Sequence, residues 1–105
     1  MRRYEVLISD KAYEDMEAIF RYISETLLVP ESAAKQYDRI VDAILSLEEI
    51  PERIKIMDSE SERRGRLRAL IVDKYTVFFV IKATTVNIVR VMYSASNISK
   101  RLSVE

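Results

Sequence analysis

The chain has 105 residues, 49% of them hydrophobic and 32% charged, with 17 basic side chains against 17 acidic ones. It has no cysteine, no histidine and a single glycine. This excludes disulfides, thiol nucleophiles, zinc cages, imidazole bases and Gly-rich phosphate loops, and no cofactor or metal is expected. The length fits one domain over residues 1–105, and the short apolar runs exclude a membrane helix and a signal-peptide core, so a cytoplasmic protein is expected.

Taken in chain order, Tyr4 to Ile8 reads as a short strand, and Ser9 or Asp10 can then cap a helix by accepting hydrogen bonds from its first free amides. Ala12, Met16, Ile19, Ile23 and Leu27 recur at helical spacing and predict one buried stripe. Pro30 is suited to a first helical position. A second stripe follows it, made of Ala33, Tyr37, Ile40 or Val41, Ile44 and Leu47, and Pro51 breaks it. Two such helices joined by a few residues predict a hairpin. The polar tract from Asp58 to Gly65 has no periodicity and is read as an exposed loop. Beyond it the period becomes two. Leu67–Val72, Tyr75–Lys82 and Val86–Tyr93, separated by Asp73-Lys74 and Ala83-Thr84-Thr85, predict a three-stranded antiparallel meander. Strict alternation groups Ile88, Arg90 and Met92 on one face of the last strand and sends Phe78 and Phe79 to opposite faces. Ser94 to Leu102 is read as a short final helix.

The expected fold is therefore α+β in the order β-α-α-β-β-β, with a helix hairpin packed on one face of an antiparallel sheet. Charge follows the same division. Residues 1–52 carry six basic against twelve acidic groups and residues 53–105 eleven against five, balances of −6 and +6. If the helices cover one face, the cations are expected to gather on and around the open one, where they attract anions.

Three stretches carry a resemblance to a known family. They are Lys11-Ala12-Tyr13-Glu14-Asp15-Met16 with Ile19, Tyr22 and Ile23; Pro30-Glu31-Ser32-Ala33-Ala34; and Ala43 to Pro51. Together they resemble the helix hairpin of the RelE/ParE toxins of bacterial toxin-antitoxin modules. Leu67 to Ile81 and Val86 to Tyr93 are similar to the strands of that family. The resemblance implies a growth-inhibiting toxin silenced by a cognate antitoxin, within a possible higher-order toxin-antitoxin assembly. RelE-like members cut messenger RNA on the ribosome, whereas ParE-like members bind DNA gyrase; the hairpin with its Pro30 entry and Pro51 exit is the more ParE-like feature.

For the ribonuclease alternative, 2′-hydroxyl attack needs a proton acceptor, cations on the phosphorane and a donor to the leaving oxygen. The candidates are Arg68, Lys74, Arg90 and Tyr93 as catalytic groups. Arg63, Arg64, Arg66 and Arg68 are candidates for binding nucleic acid or another target, with Arg64, Arg66 and Arg68 alternating onto one face. The resemblance also marks two gaps, since Thr76 stands where RelE-type enzymes carry an arginine and Ser94-Ala95-Ser96-Asn97 stands where a basic run is expected. A protein-binding inhibitor is the preferred reading, a ribosome-dependent ribonuclease the alternative, and a relative that only binds its antitoxin the third. Arg68 and Arg90 could equally brace the sheet through helix carboxylates, and Tyr93 could simply pack.

Overall fold

The computed structural model describes residues 3–57 and 65–94. Strand β1 (Glu5–Ile8) leads into α1 (Asp10–Arg21), and Ser9 caps that helix, its Oγ accepting from the Ala12 amide at 3.0 Å. The helix ends in one π-type turn, Tyr22–Thr26. Its wider winding rotates the stripe: Ala12, Met16 and Ile23 are buried, but Leu27 is 50% exposed. Leu28 takes a left-handed conformation (φ 58) and turns the chain into α2 (Pro30–Leu45), with Pro30 at the first helical position as expected. Two short 3-10 turns, Ser46–Glu48 and Pro51–Arg53, carry the chain off the helix.

Strands β2 (Arg68–Val72), β3 (Tyr75–Lys82) and β4 (Thr85–Tyr93) form the antiparallel meander. The sheet order is β1-β4-β3-β2, and β1 runs parallel to β4, so the four-stranded sheet is mixed rather than wholly antiparallel. The helical crossover explains this, because a connection of that length can return the chain beside β1 in the same direction, which a tight turn cannot. One core joins the two layers. Met16 and Ala12 of α1, Ile40 and Ile44 of α2, and Leu47 meet Val77, Phe79, Val86, Ile88 and Val91 of the sheet, all at most 2% exposed. Among the described residues no helix is long and apolar enough to cross a membrane.

Two expectations about the sheet are corrected. The register of β3 and β4 shifts between Phe78 and Phe79, which pair with Arg90 and Ile88 and leave Val89 as an extra residue. This bulge puts Ile88 in the main core while Met92 joins Phe78 in a second cluster on the reverse face, so Ile88, Arg90 and Met92 do not share a face. The second correction is that the reverse face is not an open cationic surface. Phe78 and Met92 are 2% and 7% exposed there, with Met57, Leu67 and Ala69 packed against them. The loop expected over 58–65 and the helix expected over 94–102 fall, apart from Gly65 and Ser94, outside the described residues.

Candidate functional site

The basic residues fall in three places. Arg66 lies before β2 in a left-handed turn (φ 57), not in the strand, so alternation with Arg68 does not apply to it. Arg68 pairs with Phe79 and therefore stands on the helix side of the sheet, where its Nη1 donates to the carbonyls of Ile54 (2.5 Å) and Glu52 (3.3 Å). Its braces are backbone carbonyls rather than a helix carboxylate. Arg66 and Arg68 together line a cavity of about 240 Å³ with Tyr4 and Glu52, whose carboxylate accepts from the Tyr4 hydroxyl. Arg63 and Arg64 lie outside the described residues.

Lys74 and Tyr93 meet at the opposite end of the sheet. Tyr93 pairs with Tyr75, which pairs with Val72, so four strand steps separate this level from Arg68, about 13 Å. The two residues line a groove of about 500 Å³ between that end of the sheet and the C-terminal part of α1, with Ile19, Tyr22, Leu27 and Tyr75 as neighbours. The Tyr75 and Tyr93 rings meet edge to face, centroids 5.9 Å apart. Tyr22, Leu27 and Tyr93 are each about half exposed, and Leu28 and Val29, next along the chain, are exposed apolar residues as well. Lys74 supplies a cation at its edge. Next to it, Asp73 is held by Arg39 (2.7 and 2.8 Å) and Gln36 (3.1 Å), which fixes the β2–β3 turn to α2. The Arg39 and Gln36 hydrogen bonds hold the Asp73 carboxyl below its ordinary 3.8.

Burial, together with the neighbouring Tyr93 and Tyr22 hydroxyls, raises Tyr75 above its ordinary 10.0. The neutral phenol is therefore the form the fold favours. Its stabilising contribution is present below pH 10 and is lost as pH rises through the higher folded-state value. An absorbance titration of the tyrosines is expected to show a group ionising late in the folded protein and no such group once the chain is unfolded in urea. Unchanged curves would contradict the packing described.

Arg90 belongs to neither end. Its Nε and Nη2 bond the Asp15 carboxylate of α1 at 2.7 and 3.0 Å, and the side chains are 23% and 13% exposed. Thr76, at the position where the resemblance implies an arginine, is buried, its hydroxyl 2.6 Å from that of Ser94. The structure thus brings Lys74 to Tyr93 and Arg66 to Arg68, but does not join either pair to the other or to Arg90. Sequence reasoning missed Tyr22, Leu27 and Tyr75 as groove residues, because the helical stripe assigned Leu27 to the core. The signal was the apolar run Leu27-Leu28-Val29 directly before Pro30, in a connection where polar residues are the norm.

Comparison with known proteins places this geometry in a family. Residues 6–98 match the family described as the ParE toxin of the type II toxin-antitoxin system, parDE. Among solved structures, the chain is similar to one from the chromosomal ParDE TA system of P. aeruginosa, at 20% identity and a TM-score of 0.73, covering 87% of this chain and 96% of that one. It is also similar to a chain of the RelBE2 toxin-antitoxin complex from Mycobacterium tuberculosis, at 22% identity and a TM-score of 0.62, covering 91% and 97%. Among curated proteins none matches. With nearly the whole sequence matched by the family and the helix hairpin on a mixed sheet shared with both structures, the chain belongs to the ParE toxins of type II toxin-antitoxin systems.

Proposed function

We propose that this toxin inhibits growth by binding DNA gyrase rather than by cutting RNA, acts in the cytoplasm, and is neutralised by a cognate antitoxin segment seated in the groove between α1 and the end of the sheet. The observation that carries the choice against cleavage is the dispersal of the candidate catalytic groups. Arg68 lies at one end of the sheet, Lys74 and Tyr93 lie at the other, and Arg90 is bound to Asp15. Cleavage by 2′-hydroxyl attack needs its acid, base and cations within a few ångströms of one phosphate, and this arrangement does not converge. The buried Thr76 removes a further cation from the ribonuclease pattern.

For the antitoxin, the groove offers half-exposed apolar surface at Tyr22, Leu27 and Tyr93 together with the cation of Lys74. That suits a peptide segment with apolar side chains followed by a carboxylate. Support for an antitoxin partner comes from the two similar structures, which belong to ParDE and RelBE2 systems.

Controlled expression with mapping of transcript ends and of gyrase–DNA complexes tests the reading. Growth arrest with intact messages and trapped or relaxed DNA is the expected outcome. Codon-phased cuts in messenger RNA would replace this reading with the ribonuclease, and absence of arrest would leave a protein that only binds its antitoxin.

A further inference from the structure

Strand β4 changes face in mid-course, and the change is held from α1. Pairing with β1 ends at Ile8↔Ile88, after which the edge of β4 is open to the start of the helix. Ser9 covers the first part of that edge, its amide donating to the Ile88 carbonyl at 3.1 Å and its Oγ to the Val89 carbonyl at 3.1 Å. The next edge amide, that of Val91, donates to Oδ2 of Asp15 at 3.0 Å. The same carboxylate takes two further hydrogen bonds from Arg90, and it is 13% exposed. One side chain on α1 therefore satisfies the backbone just after the bulge and balances the cation beside it.

The bulge decides what the groove contains. With Val89 extra, β4 presents Val86, Ile88, Val91 and Tyr93 to the helix side, opposite Ile81, Phe79, Val77 and Tyr75. Unbroken alternation from Ile88 would turn Arg90 and Met92 toward the helices and Tyr93 away from Tyr75. An edge amide left without an acceptor in a half-buried place keeps its full desolvation penalty, enough to weigh on such a choice.

We propose that Asp15 is a positioning residue: by accepting from the Val91 amide and pairing with Arg90, it fixes the bulged register of β4 and so presents Tyr93 to the groove. Its relevance to partner binding rests on the reading of the groove as the antitoxin seat, whereas the register itself does not.

The test uses the full chain in solution. In the native protein, Tyr75–Tyr93 ring contacts are read by nuclear Overhauser effects and the Val91 amide by hydrogen exchange. Asp15→Ala is expected to abolish the ring contacts and to speed Val91 exchange on the order of tenfold or more. Asp15→Asn keeps an acceptor and is expected to retain both signals in large part, which also serves if the alanine variant does not fold. The exchanged pair Asp15→Arg with Arg90→Asp restores opposite charges but not the acceptor, and is expected not to recover Val91 protection. Ring contacts and exchange unchanged in Asp15→Ala, loss of both in Asp15→Asn, or full recovery in the exchanged pair would each overturn the proposal. If the signals change as expected while affinity for the purified cognate antitoxin stays the same, the positioning role stands and the groove is not the antitoxin seat.

Discussion

Truncating Phe79 to alanine is expected to destabilise the domain by about 3–5 kcal/mol, the range for removing a fully buried aromatic ring. A domain of this size has a total stability of about 5–15 kcal/mol, so the variant should sit near its unfolding threshold. The reason is location. Phe79 is 0% exposed and pairs across to Ile88 and Arg68, in the layer where both helices meet the sheet. Phe78 is 2% exposed but belongs to the reverse-face cluster with Met92, which among the described residues is the smaller one, with Met57, Leu67 and Ala69 as partly buried neighbours. Phe78→Ala is expected to cost less, because a smaller cluster collapses more readily around the void. Urea unfolding of both variants against the native chain measures the difference, and an equal or reversed order would mean that the reverse-face cluster collapses no more readily than the helix interface.

Introducing a charge into the groove is the second large effect. Leu27→Asp is expected to weaken antitoxin binding by about 2 kcal/mol, roughly 30-fold in Kd, because it both removes apolar contact and sets a charge against the partner's own. The aspartate would replace apolar surface at the rim and would repel the carboxylate expected to face Lys74. Ile71→Asp is the matched control, since Ile71 is 69% exposed on an edge strand and faces the other side of the sheet. It is expected to leave affinity unchanged. Titration calorimetry with the purified antitoxin separates the two, and equal losses would place the binding surface elsewhere.

Much of the fold was legible in the residues alone because its elements follow simple periods. The steps of three and four in Ala12, Met16, Ile19 and Ile23, the capping Ser9, and Pro30 at a helix start each specify local structure without reference to the rest of the chain. The strand bounds predicted for Tyr75–Lys82 agree with β3 for the same reason, the flanking turn residues Asp73 and Ala83 both taking left-handed backbone. The parallel pairing of β1 with β4 was not legible, since nothing local to Tyr4–Ile8 says which neighbour it meets.

The candidate site shows the same division. Charge counts correctly marked the second half of the chain as cationic, but they could not show where each cation ends up. Arg90 reads equally as a free mid-strand cation and as a brace to a helix carboxylate until the fold brings Asp15 to it, and Arg66 and Arg68 read as one alternating face until the strand begins at Arg68. Residue order alone specifies the elements and the helix-on-sheet layering, because these depend on short-range periodicity and composition, while the family resemblance rests on the particular residues of the hairpin and strand motifs. The pairing of each cation, the face that each strand residue takes after Val89, and the convergence of Tyr22, Leu27, Tyr75 and Tyr93 emerge only when the elements pack. A bulge of one residue and one turn of altered helical winding reverse or rotate every side chain beyond them, and neither leaves a mark on hydrophobic periodicity.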